Sequence, residues 1–396
     1  MVGIDLGYKW CSVSVMKKGI PETVYSRHYD SSWRREYGSV PFFNALQRDI
    51  EDSSGIKFEE AYVTLPFTVS YPERIRILDN AKKAGIVLIY RGSPTVMMAL
   101  YVSWKKNLDS YYLFCLADEN EYEVSVHEIG DGIVETHAVI GGYEDPGGRG
   151  LNRLYRDAAN ESLNGFVGCI YDLPESGEYI IENCYEDRKE YLCHRSVISK
   201  GCALEAAKYA GDKIVEDILL LSAVPYSLGF RMADGTVCTL VSRNTTVPTW
   251  HSIQYYIGNK TPEDLYLLSS VDDEHWEEIG LLRIPTNEKC DSYRRILLRV
   301  GIDPFLNISL DVQDEQKRTI CKTDNVARNL LELRSGYRTA VNQCMLYEYL
   351  GEISYLKDKL HPVLDDLKKV LEVKESRHQK YAEGIEMIYE RLKDTL

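Results

Sequence analysis

The chain has 396 residues, 44% hydrophobic and 27% charged, which is ordinary globular composition with length for two or three domains. A formal net charge of −14 lacks the clustered basic surface that phosphate backbones reward, so no nucleic-acid partner is expected. No apolar run approaches the ~18 residues of a membrane span, no basic-then-apolar leader opens the sequence, and the ten cysteines contain no CxxC pair, so a reduced, cytoplasmic protein is expected.

Residues 1–214 read as α/β. A short strand at 2–6 is turned by Gly7, and 11–16 alternates as its hairpin partner. AYVTLP at 61–66 is another strand. Pro72 opens a helix whose apolar Ile75, Leu78 and Ala81 share a face, and Gly85 ends it. Ser93-Pro94 starts a second helix, with Met97, Leu100, Tyr101 and Trp104 at i, i+3, i+4, i+7. Segments 111–116 and 122–129 pair as strands, and Asp131-Gly132 turns into a third at 133–140. Cys184, Cys193 and His194 are the nearest approach to a metal cluster, and their spacing matches no zinc pattern, so no metal ligand set is assigned.

Asp217 then precedes four aliphatics, Ile218, Leu219, Leu220 and Leu221, before Pro225 stops the run. From 224 to about 319 the period is two. TVCTLVS, TWHSIQYYI, DLYLLSSV, IGLLRI, SYRRILLRVGI and FLNISLDV, separated by turn residues, predict a β-sandwich. After Lys322 the pattern turns helical: Val326, Leu330, Leu333, Tyr337 and Val341 form a stripe, Pro362 breaks it, and Leu364, Leu367 and Leu371 resume it.

This order, with that linker, resembles a shortened and divergent member of the Hsp70 (DnaK-type) molecular chaperones. GIDLG at 3–7 is similar to the family's first phosphate loop, 61–102 to the segment joining the halves of its nucleotide domain, and RNTTVPT within 239–252 to its substrate-binding domain. The resemblance implies a multidomain α/β + all-β + α chain. Residues 1–214 would be a truncated actin-like (ribonuclease H-like) ATPase domain with both outer subdomains reduced. Residues 215–223 would be an interdomain linker, which docks on the nucleotide domain in one state and swings free in the other. Residues 224–322 would be the β-sandwich peptide-binding domain, and 323–396 a helical lid or bundle.

The departures bear on the cofactor. The resemblance implies ATP or ADP with Mg²⁺ at Asp5, Gly7, Tyr8 and Lys9, with Asp5 organising a hydrated ion. Lys9 would touch a phosphate and Tyr8 would crowd one; alternatively GIDLGYK is a retained hairpin turn. Only residues 17–60 fill the space where the family carries an insertion with a catalytic lysine, and Ser93 stands at a family glutamate. The second phosphate loop reads Asp118, Glu119, Asn120, Glu121, Tyr122, Glu123, with no glycine for a nest of N–H groups. Like charges at contact cost about 1 kcal/mol each in water. YDLPES at 171–176 stands roughly where the family's adenosine motif would be. No catalytic residue is assigned, and hydrolysis is expected to be absent or very slow.

The peptide groove fits the resemblance better. The matching positions are Leu228, Phe230, Met232, Ala233, Tyr255, Gly258, Leu265 and Leu267, all apolar or small as an extended apolar ligand requires; the alternative is that they face an ordinary sandwich core. A Trp at position 265 is expected to fill the groove's pocket. Implied partners are extended apolar peptides or unfolded protein segments, and co-chaperones. Three functions stay open: a peptide-holding protein with a degenerate nucleotide domain, a compact ATP-driven chaperone, and an assembly protein that binds its own copy through the groove.

Overall fold

Val2–Leu6 (β1) is apolar apart from Gly3 and Asp5 and buried along its whole length, which suits only a central strand; it lies in the middle of a five-stranded sheet. The computed structural model describes residues 2–29, 36–106, 108–117, 122–142, 165–170, 179–182, 189–232, 235–257, 263–285, 294–328 and 330–331. They form a mixed α/β fold with four sheets and few helices among the described residues.

The first sheet has the order β3-β2-β1-β4-β5. Trp10–Lys17 (β2) and Ile20–His28 (β3) run antiparallel, while Glu60–Thr64 (β4) and Val87–Tyr90 (β5) run parallel to β1. Residues 17–60, expected only as a shrunken spacer, hold β3 and helix α1 (Val40–Ser54). Ser39 caps α1 by accepting from the Phe42 N–H at 3.2 Å, and Gly55 closes it at φ +71°. Phe42, Phe43, Leu46 and Ile50 bury its inner face. The expected helices are present as Tyr71–Lys83 (α2) and Pro94–Lys105 (α3).

The second sheet reuses this design. Ser110–Ala117 (β6), Tyr122–Gly130 (β7) and Ile133–Gly142 (β8) form an antiparallel meander. Gly165–Ile170 (β9) and Lys189–His194 (β11) join parallel, with Tyr179–Glu182 (β10) at the edge. The run β8-β7-β6-β9-β11 repeats the arrangement β3-β2-β1-β4-β5.

The two halves exchange helices. Helix α3 follows β5 but buries Met97, Met98 and Leu100 in the core of the second sheet. Helix α4 (Val197–Tyr209) follows β11 yet packs on β1, β2 and β4. Both crossings need glycine. A Cβ on Gly3 would lie 2.2 Å from the Ala203 nitrogen, and one on Gly201 would lie 2.0 Å from the Met97 carbonyl oxygen.

Leu219–Leu221 (β12), the aliphatic linker, adds to the second sheet in parallel with β8, Leu219 opposite Ile133 and Leu221 opposite Glu135. The sandwich follows. Ser227–Arg231 (β13), Val237–Val241 (β14), Glu263–Ser270 (β16) and Glu277–Ile284 (β17) form a sheet of order β14-β13-β16-β17. Thr249–Ile257 (β15), Arg294–Ile302 (β18), Ile308–Gln313 (β19) and Thr319–Thr323 (β20) form the other, in sequence order. Val326 and Ala327 pack into the core between them. The remainder of the expected tail stripe, including Leu333, Tyr337, Val341, Leu364, Leu367 and Leu371, lies outside the described residues.

The sandwich is docked on the α/β body. Tyr71 and Ile75 of α2 belong to the sandwich core, and the Ile308 N–H donates to the Tyr71 hydroxyl at 3.0 Å. Arg91 pairs with Glu205 of α4 at 2.8 Å, donates to the Pro304 carbonyl at 2.7 Å and lies over the rings of Tyr209 and Phe305. From the other half, the Val139 N–H donates to Asn244 Oδ1 at 3.3 Å.

The α3–α4 crossing makes a measurable demand. Gly201→Ala drives a methyl into backbone and is expected to destabilise by on the order of 3 kcal/mol. Gly211, at φ +78° with open space around its Cβ position, serves as control: Gly211→Ala should cost only about 1–2 kcal/mol of backbone strain. Urea denaturation of both variants, followed by circular dichroism, checks the difference.

Candidate functional site

The first loop is a tight hairpin turn between β1 and β2, closed by the Gly7 N–H donating to the Trp10 carbonyl at 2.8 Å. Its carboxylate, Asp5, is only 1% exposed and forms an ion pair with Arg195, equally buried, Nε to Oδ2 at 2.9 Å. The Thr64 hydroxyl donates to the other Asp5 oxygen at 3.3 Å. The guanidinium also lies over Gly7, where a Cβ would come within 2.5 Å of Arg195 Nη2. Arg195 sits one residue beyond β11, just ahead of α4, so the second half of the body delivers a cation into the first hairpin turn of the other.

The remaining loop residues are taken up locally. Tyr8 packs on Tyr37 with ring centroids 4.9 Å apart, and the Tyr37 hydroxyl donates to the Leu6 carbonyl at 2.7 Å. The Lys9 carbonyl accepts from the Tyr29 N–H at 2.7 Å. Trp10 meets His194 edge-on at 5.6 Å, and His194 Nδ1 is hydrogen-bonded to Ser196 Oγ at 2.8 Å. Of the cysteine–histidine cluster weighed as a metal site, Cys193 is buried and Cys184 lies outside the described residues. Beneath the turn, Ser12 and Ser14 bond Ser199 of α4 at 3.0 and 2.8 Å.

Of the acidic second loop, residues 118–121 lie outside the described residues, as does 171–176. Glu123 is buried on β7, and its Oε1 accepts from the Thr95 N–H at 2.9 Å and from the Thr95 hydroxyl. A carboxylate there neutralises the partial positive charge at the start of α3. It also takes over capping from Ser93, which holds the N-cap position without a side-chain bond.

These residues do not fit Mg²⁺–nucleotide. A hydrated Mg²⁺ at Asp5 needs a carboxylate facing a phosphate-filled space. Here the carboxylate is committed to a guanidinium, which occupies the approach to Gly7. No hydrolytic step is derived from this arrangement.

The sandwich positions fall into three sets. Leu228, Phe230, Tyr255, Leu265 and Leu267 are buried together in the sandwich core, with Phe230 directly opposite Leu267 across β13 and β16. Met232 is half-buried at the edge of that core, in the turn where its N–H donates to the Thr236 carbonyl at 2.7 Å. Ala233 and Gly258 lie outside the described residues. Because Leu265 is packed, Leu265→Trp would test core packing and not an open pocket; Met232 is the informative position. The sequence gives no local sign of the pairing partner Arg195 or of the docking pair Arg91–Glu205, whose members are far apart in the chain.

Removing one member of the buried pair exposes its role. Arg195→Met strands the Asp5 carboxylate and is expected to cost roughly 3–5 kcal/mol, whereas the double variant Asp5→Leu/Arg195→Met recovers most of the loss. Urea unfolding of the two single variants and the double one measures the coupling.

One comparison with known proteins bears on the chain. The family model described as Hsp70 protein matches residues 166–263, about a quarter of the length, running from β9 through α4 and the linker into β16. Over that stretch the chain is similar to the Hsp70 family.

Proposed function

We propose that this chain is a peptide-holding protein of Hsp70 type whose nucleotide domain has become a scaffold. The match to the Hsp70 family over 166–263 supports a chaperone-type function. In this reading residues 1–214 are a reduced actin-like body, 215–223 the linker, 224–322 the peptide-binding sandwich and 323–396 a helical lid or bundle. The observation that carries the proposal is the Asp5–Arg195 pair: the charge that Mg²⁺–nucleotide would supply between the halves is already supplied by the chain. The twofold strand order and the exchange of α3 and α4 support the actin-like assignment. The linker strand on β8 supports a docked state held without nucleotide.

The clients are extended apolar segments of unfolded protein, engaged through their backbones at the loops flanking Met232 and the end of β15. Co-chaperones are the other partner class, and the cytoplasm is the setting. One buried leucine contributes only ~1.5–3 kcal/mol, which limits affinity to the micromolar range without a closed lid.

Fluorescence anisotropy of a labelled leucine-centred heptapeptide tests this. Micromolar binding is expected, unchanged by ATP–Mg²⁺ and weakened about tenfold by Met232→Asp, the cost of placing a charge at the apolar edge of the sandwich core. No binding at high micromolar protein would remove the groove. A shift of about tenfold or more on adding ATP–Mg²⁺ would show a working nucleotide switch.

A further inference from the structure

A cavity of about 340 Å³ lies where the α/β body, the linker and the sandwich meet. Its walls come from all three: Phe67 and Val96 of the body, Ala223 of the linker region, and Ser270 and Leu306 of the sandwich. Most of the lining is apolar, and its polar members include Arg74, Ser93, Ser222, His275 and Glu277. The hydroxyls of Ser93 (6% exposed) and Ser222 (4% exposed) have no hydrogen-bond partner among the described residues, and neither has Arg74 Nε.

Arg74 is the informative group. Its guanidinium is 5% exposed, lies over the rings of Tyr71 and Tyr90, and donates from Nη2 to the Leu306 carbonyl at 2.6 Å. No carboxylate pairs with it among the described residues. Buried charges are ordinarily paired, because desolvation costs several kcal/mol per ion. Arg91, the neighbouring docking arginine, is paired with Glu205. The hydroxyls of Tyr71, Tyr90 and Tyr226 face it but are neutral, so a buried cation beside a cavity wide enough for a small ligand leaves its counter-ion to be supplied from outside.

We propose that this cavity is a binding site for a small organic carboxylate with an aromatic or branched apolar body. The carboxylate faces the Arg74 guanidinium, with Ser93 and Ser222 beside it, and the body fills the apolar lining. A carboxylate suits the site better than a phosphate, since Nη2 is already engaged and the guanidinium does not offer its full fork. Because the walls belong to both docked parts, the ligand binds the docked arrangement and stabilises it by mass action. The proposal is independent of the peptide groove and of the reading of the phosphate loop.

The test uses the full chain with 2-naphthoate as probe, its own fluorescence as readout, and neutral 2-naphthamide as isostere. The acid is expected to bind about tenfold more tightly than the amide, the worth of one charged hydrogen bond, and to raise the thermal midpoint. Arg74→Met should make acid and amide equal. Ser93→Leu, which fills the cavity and leaves Arg74 in place, should abolish both. Equal affinity of acid and amide for the unmodified chain would overturn the proposal without recourse to any variant. So would full acid binding by Ser93→Leu, or displacement of the acid by equimolar inorganic phosphate, which would assign the site to a bare oxyanion.

Discussion

The contact between Asp5 and Arg195 is the constraint around which the α/β body is assembled. The exchanged helices bring the halves together through apolar surface and two glycine crossings, and apolar contact tolerates small slips. A buried ion pair does not: displaced, each charge lies unpaired in a medium where its desolvation costs several kcal/mol. Asp5 sits on the central strand of one half and Arg195 at the start of the helix contributed by the other, so pairing fixes the register of the whole crossing. Replacing such pairs by well-packed apolar groups is often neutral in energy. Alignment, more than net stability, is therefore the physical role of this one.

The sandwich depends on the same helix. Glu205 lies two turns along α4 from Ser199, which bonds the first hairpin, and it holds Arg91, which reaches the Pro304 carbonyl and the Phe305 ring. One rigid helix thus touches the phosphate loop at its start and the docking contact further along. Beside it, β12 ties the linker to β8 through backbone pairing, which is indifferent to side-chain identity and explains how exposed Leu219 is tolerated there.

How far the sequence foretold this differs from element to element. The strands of the sandwich were legible because each buries one face, as in β19, where Ile308, Leu310 and Val312 alternate with half-buried positions. The aliphatic run at 218–221 was legible, and part of it forms the short strand β12. Helix α1 carried clear signals, an N-cap serine and a closing glycine, but family spacing drew attention to what was missing between 17 and 60 and away from what was there. Helix α4 was hidden for a physical reason: it is buried on nearly every side, its contacts are made by Gly201, Cys202, Ala203, Ala206 and Ala207, and a helix without a polar face has no period to detect. The groove positions were read as ligand-facing because they are apolar. The same alternation serves a core, and five of the eight lie in it.

Glu123, Ser93 and Arg195 meet on the two sides of the cleft between the halves. The second loop places Glu123 on the start of α3, so that helix is capped by a carboxylate from β7. Capping by Glu123 releases the Ser93 hydroxyl from that work, and serine in place of a longer acid leaves room in front of α3, where the interdomain cavity begins. Arg195 answers Asp5 on the other side of the cleft. Arg91 and Arg195 are matched by carboxylates of the chain itself, and the one buried cation still lacking a carboxylate partner among the described residues, Arg74, lies at the junction with the sandwich.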